Sequence, residues 1–218
     1  MFTGLIETTG AIVSIERKGA ANLIGIKPES AEFTALPGAS VAVDGVCLTV
    51  EAIKGPVLYF TAVKETLDRT TLGHARPGGK VNLERPLKAD GRFDGHLVLG
   101  HVDGVGTITA VRSDSGDRRC IVKVPEIVIR FMAEKGSVAI DGMSLTIAEV
   151  RGAEITIALV PRTLEATTMG QKRPGDRVNI ECDVIARYVS SLLAGDRGPS
   201  GASDRDTTLL EKIEGAGF

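Results

Sequence analysis

The chain is poor in the residues that nucleic-acid-binding and membrane-spanning proteins need. Its 218 residues include no Trp and only 6 Phe and 2 Tyr, so no platform for stacked bases is present. The net charge is −2, and no basic cluster exceeds a pair such as Arg118-Arg119. No run approaches the roughly 18 apolar residues that cross a bilayer. These deficits argue against nucleic-acid and membrane partners.

Cysteine and histidine are also scarce. Cys47, Cys120 and Cys182 are odd in number and far apart, which fits a reducing compartment better than a disulfide framework. Among 3 histidines, His96 and His101 form one close pair, and no CxxC or HExxH spacing occurs, so no metal site is predicted. The start, MFTGLIETTG, lacks the basic and apolar regions of a signal peptide. We therefore expect a cytoplasmic protein.

What the chain does contain is an internal repeat. SVAVDGVCLTV at 40–50 matches SVAIDGMSLTI at 137–147, and RPGGKVNLE at 76–84 matches RPGDRVNIE at 173–181, both at an offset of 97. Over positions 40–84 the two copies share 20 identities in 45 ungapped pairs. The chain therefore holds two similar units, 1–86 and 96–183, joined by a polar linker at 87–95.

Each unit has the pattern of an antiparallel β structure. Runs such as 40–50, 57–63, 121–124 and 154–160 are rich in β-branched residues and are bounded by Gly, Pro and Asp. Five or six such strands predict a small closed or Greek-key barrel in each unit. We expect hairpin turns at Asp44-Gly45 and Asp141-Gly142, and one short helix per unit, at 65–71 and 125–134.

The residues after the second unit change to a helical period. Val184, Ile185, Tyr188, Val189 and Leu192 recur on one face, followed by Leu193, which predicts a helix over 184–194. Such a helix could pack on its own domain or mediate self-association, and we favour self-association. The composition of 195–218 predicts a disordered tail.

The most informative positions are those where the two copies differ in chemical type. The pairs, first copy before second, are Cys47 and Ser144, Leu5 and His101, Lys64 and Pro161, and Phe2 and Val98.

Two interpretations fit the polar residues around Cys47 and Ser144. Cys47 and Thr49 share one face of a strand, as do Ser144 and Thr146. This face could simply lie in water, or it could line a barrel mouth and bind a heterocycle by hydrogen bonds. His96 and His101 are expected on opposite strand faces, and either could carry a proton near neutral pH. Composition and spacing alone therefore predict a duplicated barrel that binds a polar planar ligand in each half.

Several motifs resemble those of the riboflavin synthases of the α-chain type. They are MFTGLIE at the N-terminus, DGVCLTV and KETL in the first half, GHLVLGHVDG at 95–104, and DGMSLTI with VNIE in the second half. The resemblance covers 1–194. It implies two six-stranded Greek-key β-barrels in tandem, 1–95 and 96–183, short helices, a C-terminal trimerisation helix over 184–194, and a homotrimer. The implied reaction, a transfer without cofactor or metal, converts two 6,7-dimethyl-8-ribityllumazine molecules into riboflavin and 5-amino-6-ribitylamino-uracil.

The resemblance also implies two substrate pockets, one for each barrel. The first would use Gly4, Leu5, Ile6, Ser40, Cys47, Leu48, Thr49, Thr61, Ala62, Val63, Lys64, Glu65 and Thr66. The second would use Gly100, His101, Val102, Ser144, Leu145, Thr146, Ala158, Leu159, Val160, Pro161, Arg162 and Thr163. Lys135 resembles the lysine that reaches the ligand of a neighbouring subunit.

The implied catalytic residues are Cys47, His101, Ser144 and Phe2. His101 would shuttle the proton, while Ser144 and Cys47 would be the nucleophile or the orienting group, one in each pocket. Phe2 would order the N-terminal segment that closes the site. One departure from the family pattern is Arg162, where many relatives carry Glu, so a side-chain role at this position is in doubt.

Two other classes share the barrel. A lumazine-carrying antenna protein would be monomeric and would bind its ligand without turnover. A flavin reductase barrel would need a nicotinamide-binding domain with a glycine fingerprint, and no GxGxxG followed by a helix occurs in the chain. We favour the enzyme because Cys47, Ser144, His101 and the MFTG start are all present.

Overall fold

The computed structural model describes residues 1–114 and 117–193. Twelve strands account for most of them. In the first half they are β1 (Thr8–Lys18), β2 (Ala21–Pro28), β3 (Ser40–Val43), β4 (Val46–Lys54), β5 (Val57–Ala62) and β6 (Lys80–Glu84). In the second half they are β7 (Gly104–Asp114), β8 (Asp117–Lys123), β9 (Ser137–Ile140), β10 (Met143–Arg151), β11 (Glu154–Leu159) and β12 (Arg177–Cys182).

The strands close into two six-stranded antiparallel barrels, as the sequence predicts. Around the first barrel the order is β1-β2-β5-β4-β3-β6, and β7 to β12 repeat the same order in the second. Strands β4 and β10 follow the Asp-Gly hairpin turns, and alternate residues at their start point inward. Val46, Leu48 and Val50 are buried in the first barrel, and Met143, Leu145 and Ile147 in the second. Each barrel therefore has its own apolar core.

The helices differ in part from the expectation. Helix α1 (Lys64–Arg69) continues into a 3₁₀ turn, Thr71–His74, in agreement with the helix predicted at 65–71. The helix expected over 125–134 shrinks to α2 (Glu126–Ile129), one turn that buries Val128 in the second core. The helix that corresponds to α1 in the second copy is α3 (Pro161–Ala166). It was not predicted, because it directly follows the strand-like run at 154–160. Pro161 in the first turn of α3 was the available signal, because proline favours that position.

Residues related by the repeat meet one another where the barrels join. Phe2 and Val98 form an antiparallel bridge, with the Phe2 N–H donating to the Val98 carbonyl at 2.7 Å. Asn82 Nδ2 donates to the Asp141 carbonyl at 2.9 Å, and Asn179 Nδ2 donates to the Asp44 carbonyl at 2.8 Å. Because equivalent groups exchange equivalent bonds, a local twofold axis relates the two barrels.

The last described element is helix α4 (Val184–Leu193), in agreement with the predicted span. Its large apolar side chains Ile185, Tyr188, Val189, Leu192 and Leu193 are all exposed. None of the helices in the described part of the chain is both long and apolar enough to traverse a lipid bilayer. The predicted disordered tail, 195–218, lies outside the described residues.

Candidate functional site

The barrel interiors are filled with apolar side chains, so a ligand could bind only on the outside of each barrel. Leu48 and Ala62 point into the first core, and Leu145 and Leu159 into the second. Only the main chains of these four residues can therefore reach a ligand on the outer face, and their contact with substrate stays a prediction. Of the two interpretations of the polar residues around Cys47 and Ser144, the one that places them inside a barrel mouth is wrong for the same reason.

The first outer face carries a patch of small polar groups. Ser40 pairs with Thr49 across β3 and β4, so these two side chains lie side by side. Cys47 lies on the same face of β4, and Thr61 and Val63 extend the patch at the end of β5. Thr49, Thr61 and Val63 are exposed, while Cys47 is half-buried.

The second outer face repeats this arrangement with different chemistry. Thr146 pairs with Ser137 across β9 and β10, and Ser144 lies on the same side of β10. Ala158 and Val160 stand where the first patch has Thr61 and Val63, and all of the exposed positions correspond. The second face is therefore more apolar at the end of its outer strand, and its reactive group is a hydroxyl rather than a thiol.

The segments that border these faces come from the opposite barrel. The Ser144 N–H donates to the Gly4 carbonyl at 2.8 Å, and the Cys47 N–H donates to the Gly100 carbonyl at 3.0 Å. Ile6 packs on the second core and Val102 on the first. Within the chain the segments are thus grouped differently from the prediction: Gly4, Leu5 and Ile6 border the Ser144 face, whereas Gly100, His101 and Val102 border the Cys47 face. That they bind substrate stays a prediction. The two chain segments cross over at the Phe2–Val98 bridge.

His96 is a site residue that the sequence reasoning did not place. Its Nδ1 lies 2.6 Å from Ser144 Oγ, and the residue is 7% exposed. Burial lowers the pKa of His96, while the charge of Asp183 opposes that effect, so the ring is neutral near neutral pH. A neutral imidazole can accept the Ser144 proton at Nδ1 and polarise the hydroxyl. The only sequence signal was the pair of histidines in GHLVLGH, which does not show which of them meets Ser144.

The structure separates His101 from Ser144 within the chain and leaves Phe2 able to order the N-terminal segment. His101 is exposed beside Gly100 at the Cys47 face, so it does not share a pocket with Ser144. Phe2 is 0% exposed and packs with Ala42, Val98 and Ala139 at the junction, where Cys47 joins the cluster. Phe2 can therefore order the N-terminal segment, but its ring cannot touch a ligand.

The ends of β5 and β11 lead directly into short helices. Lys64 and Glu65 are exposed in the first turn of α1 and pair with Asp68 and Arg69. The corresponding Pro161 and Arg162 are exposed in α3, and Thr66 and Thr163 are half-buried in both copies. The reversal from Glu65 to Arg162 thus falls on solvent-facing side chains.

Lys135 is held in an unusual backbone conformation. Its φ is 65°, where the first copy has Gly38, and its N–H donates to the Ile147 carbonyl at 2.8 Å. A residue with a Cβ is disfavoured at such a φ, so the exposed lysine replaces the glycine at an energetic cost. This strain supports a function for the side chain.

The arrangement offers two similar planar-ligand surfaces with unlike reactive groups. Thr, Ser and main-chain groups can hydrogen-bond the edge of a heterocycle at each face. A serine–histidine pair lies at one face, and a thiol with a nearby exposed histidine lies at the other. Because both faces are open in the single chain, each could receive a ligand from the side.

Comparison with known proteins agrees with this geometry. The model of the lumazine binding domain matches residues 3–86 and 99–183. The riboflavin synthase of Actinobacillus pleuropneumoniae is 36% identical over 218 residues, covering 100% of both chains. That of Bacillus subtilis is 39% identical over 193 residues, covering 88% of this chain and 90% of the other.

Solved structures give the same answer. LumP in complex with 6,7-dimethyl-8-(1'-D-ribityl) lumazine superposes with a TM-score of 0.74 at 26% identity, covering 84% of this chain and 99% of that one. The complex of LumP with riboflavin superposes equally well, with a TM-score of 0.74 at 28% identity. With two lumazine-binding repeats and this identity along nearly its whole length, the chain belongs to the riboflavin synthase family.

Proposed function

We propose that the protein is a riboflavin synthase that converts two molecules of 6,7-dimethyl-8-ribityllumazine into riboflavin and 5-amino-6-ribitylamino-uracil. One lumazine gives up a four-carbon unit and the other receives it, so the reaction balances without an external oxidant or reductant. Such a dismutation needs two sites that bind the same molecule and treat it differently. The observation that carries the proposal is the duplicated outer face, with Cys47 in one copy and the Ser144–His96 pair in the other.

Each face supplies groups that bind the lumazine and groups that take part in the reaction. Thr49 and Thr146, with neighbouring main-chain groups, hydrogen-bond the pyrimidine edge of each lumazine. Ser144, polarised by His96, attacks or orients one ring, and Cys47 takes the corresponding position at the other. His101 and His96 carry the proton that leaves the reactive methyl group. Holding two rings in contact supplies much of the rate, since orientation alone lowers a bimolecular barrier by several kcal/mol.

The complete site requires a second subunit in this proposal. Both faces are open. A face of a neighbouring chain would stack its bound lumazine on the lumazine held by this chain, and the contact would exclude water. Lys135, exposed and conformationally strained, would reach the ligand of that neighbour. Helix α4, with its exposed apolar side chains, would hold the homotrimer together. The three free thiols fit a reducing cytoplasm.

The test is turnover of purified protein with 6,7-dimethyl-8-ribityllumazine as the sole organic substrate, with EDTA present. We expect one riboflavin and one pyrimidine for every two lumazines consumed. Tight lumazine binding without products would instead place the protein with the lumazine carriers, a function that the likeness to LumP makes the natural alternative. Product formation that stops in EDTA would contradict the cofactor-free reaction.

A further inference from the structure

Two buried glutamates hold the segments that border the two faces. Glu84 ends β6 and Glu181 lies near the end of β12, at equivalent positions of the repeat. They are 3% and 5% exposed. A carboxylate so deeply buried needs several donors to remain charged.

Each carboxylate obtains those donors from a single short segment. Glu84 accepts hydrogen bonds from the Thr3 N–H and the Thr3 hydroxyl at 2.7 Å, and from the Gly4 N–H at 3.0 Å. Glu181 accepts from the N–H groups of Leu99, Gly100 and His101 at 2.7, 3.0 and 3.1 Å. Successive main-chain N–H groups that converge on one anion fix the path of the segment.

The same glycines are bonded on their other side to the reactive strand of the opposite barrel. The Gly4 carbonyl accepts from the Ser144 N–H, and the Gly100 carbonyl accepts from the Cys47 N–H. Neither glycine could carry a side chain there, because a Cβ on Gly4 would lie 2.6 Å from Ser144 Cβ, and one on Gly100 would lie 2.5 Å from Cys47 Cβ. Two chains of contact result: Glu84–Gly4–Ser144 and Glu181–Gly100–Cys47.

We infer that Glu84 and Glu181 are positioning residues that act crosswise, each setting the geometry of the reactive site on the other barrel. Glu84, in the first barrel, places the border of the Ser144 site. Glu181, in the second barrel, places the border of the Cys47 site and the main chain of His101. The inference rests on the proposed function only where kcat/KM is measured. The crosswise contacts should also affect ligand binding, which can be measured without turnover.

Double-mutant cycles on the full chain test the inference. Glu84→Gln and Glu181→Gln keep the side-chain shape, but the amide NH₂ must face an N–H donor, so at least one bond to the segment is lost. Each single variant should lower kcat/KM by about tenfold or more. In the Ser144→Ala background, Glu84→Gln should lower kcat/KM by less than about a further threefold. In the Cys47→Ala background it should lower kcat/KM by as much as it does in the wild type. Glu181→Gln should show the opposite coupling.

Controls separate positioning from general loss of structure. Glu16→Gln replaces an exposed glutamate on β1 and should leave both turnover and coupling unchanged. Thr3→Val removes the hydroxyl bond to Glu84, together with the 3.3 Å bond that this hydroxyl accepts from the Leu5 N–H, and keeps both main-chain bonds to Glu84. It should give a smaller effect than Glu84→Gln, with the same coupling to Ser144→Ala. Multiplicative losses in both backgrounds, or coupling to the residue on the same barrel, would overturn the inference.

Ligand binding provides a readout that does not depend on turnover. Each variant can be titrated into 6,7-dimethyl-8-ribityllumazine, with the fluorescence of the lumazine as the signal. The dissociation constants should show the same crosswise coupling. If the wild-type chain binds lumazine but does not convert it, the proposed function fails, while the binding cycles still decide whether Glu84 and Glu181 act crosswise.

Discussion

At the scale of single residues, the junction between the barrels contains an uneven set of charges. Asp44 and Asp141 are buried in equivalent hairpin turns, but only the second copy supplies a lysine, Lys172, where the first has Ala75. Lys172 Nζ lies 2.8 Å from Asp141. Burial opposes the charge of Lys172, yet Asp141 and Asp44 outweigh it and raise the lysine pKa. One cation therefore serves two buried acids.

Because Lys172 forms its ion pair with Asp141 and not with Asp44, Asp44→Asn and Asp141→Asn should have opposite effects on the free energy of unfolding. Burial, reinforced by the neighbouring Asp141, raises the pKa of Asp44 well above its usual range. The native state then binds this proton more tightly than the unfolded chain, so stability falls as the pH rises above about 3.9 towards the raised value. Asp44→Asn removes that loss and still accepts the Asn82 N–H. We expect it to be more stable than the wild type at pH 8, with the difference vanishing near pH 4.

Asp141→Asn is the matched comparison, because it leaves Lys172 without its ion-pair partner. We expect a loss of about 3–5 kcal/mol in the free energy of unfolding at neutral pH, as for other broken buried pairs. Urea unfolding at pH 4, 6 and 8 measures both variants. An Asp44→Asn protein that is less stable than the wild type at pH 8 would show that the Asp44 carboxylate is charged and needed.

At the scale of elements, the hairpin turns of β3–β4 and β9–β10 pack against each other. A Cβ on Gly45 would lie 2.6 Å from the Gly142 nitrogen, and the φ of Gly45 is 75°. Gly55, in the next hairpin, has a φ of 58° and no atom near its Cβ direction. The two glycines thus share the left-handed conformation, but only Gly45 touches the other barrel.

This pair separates backbone strain from the contact between the barrels. Gly55→Ala should lower the free energy of unfolding by about 1 kcal/mol, the usual cost of a left-handed alanine. Gly45→Ala should cost about 2–4 kcal/mol, because the backbone of Gly142 must also move. Denaturant unfolding checks both, and equal losses in the two variants would mean that the turns can separate at no cost.

The same elements show what the sequence could predict and what it could not. The alternation of Val46, Leu48 and Val50 and the repeat itself were sufficient for the strands and the two barrels. That Gly4 contacts Ser144 and Gly100 contacts Cys47 could not be predicted, because no local pattern encodes a contact with a residue so distant in the chain. A partial signal did exist: the repeat aligns Phe2 with Val98, and these two residues pair in the structure. The roles of Cys47, His101, Ser144 and Lys135 remain predictions.

At the scale of the whole molecule, the two faces are related but not equivalent. The Ser144 face has a buried histidine partner, and the Cys47 face has an exposed one. The two faces therefore differ in the environment of the neighbouring histidine as well as in the reactive group, Cys47 in one and Ser144 in the other.

Helix α4 is the element through which we expect the subunits to assemble. Helix α4 exposes five large apolar side chains within ten residues, an arrangement that is stable in water only when another surface covers it. A chain ending at Asp183 should fold into both barrels, bind lumazine weakly and run as a monomer in light-scattering measurements, with turnover reduced by about a hundredfold or more. A chain ending at Leu193 is the matched control and should form the proposed trimer and be active. A shortened chain that stays trimeric would place the subunit contacts on the barrels, whereas an active monomer would mean that one chain completes the site alone.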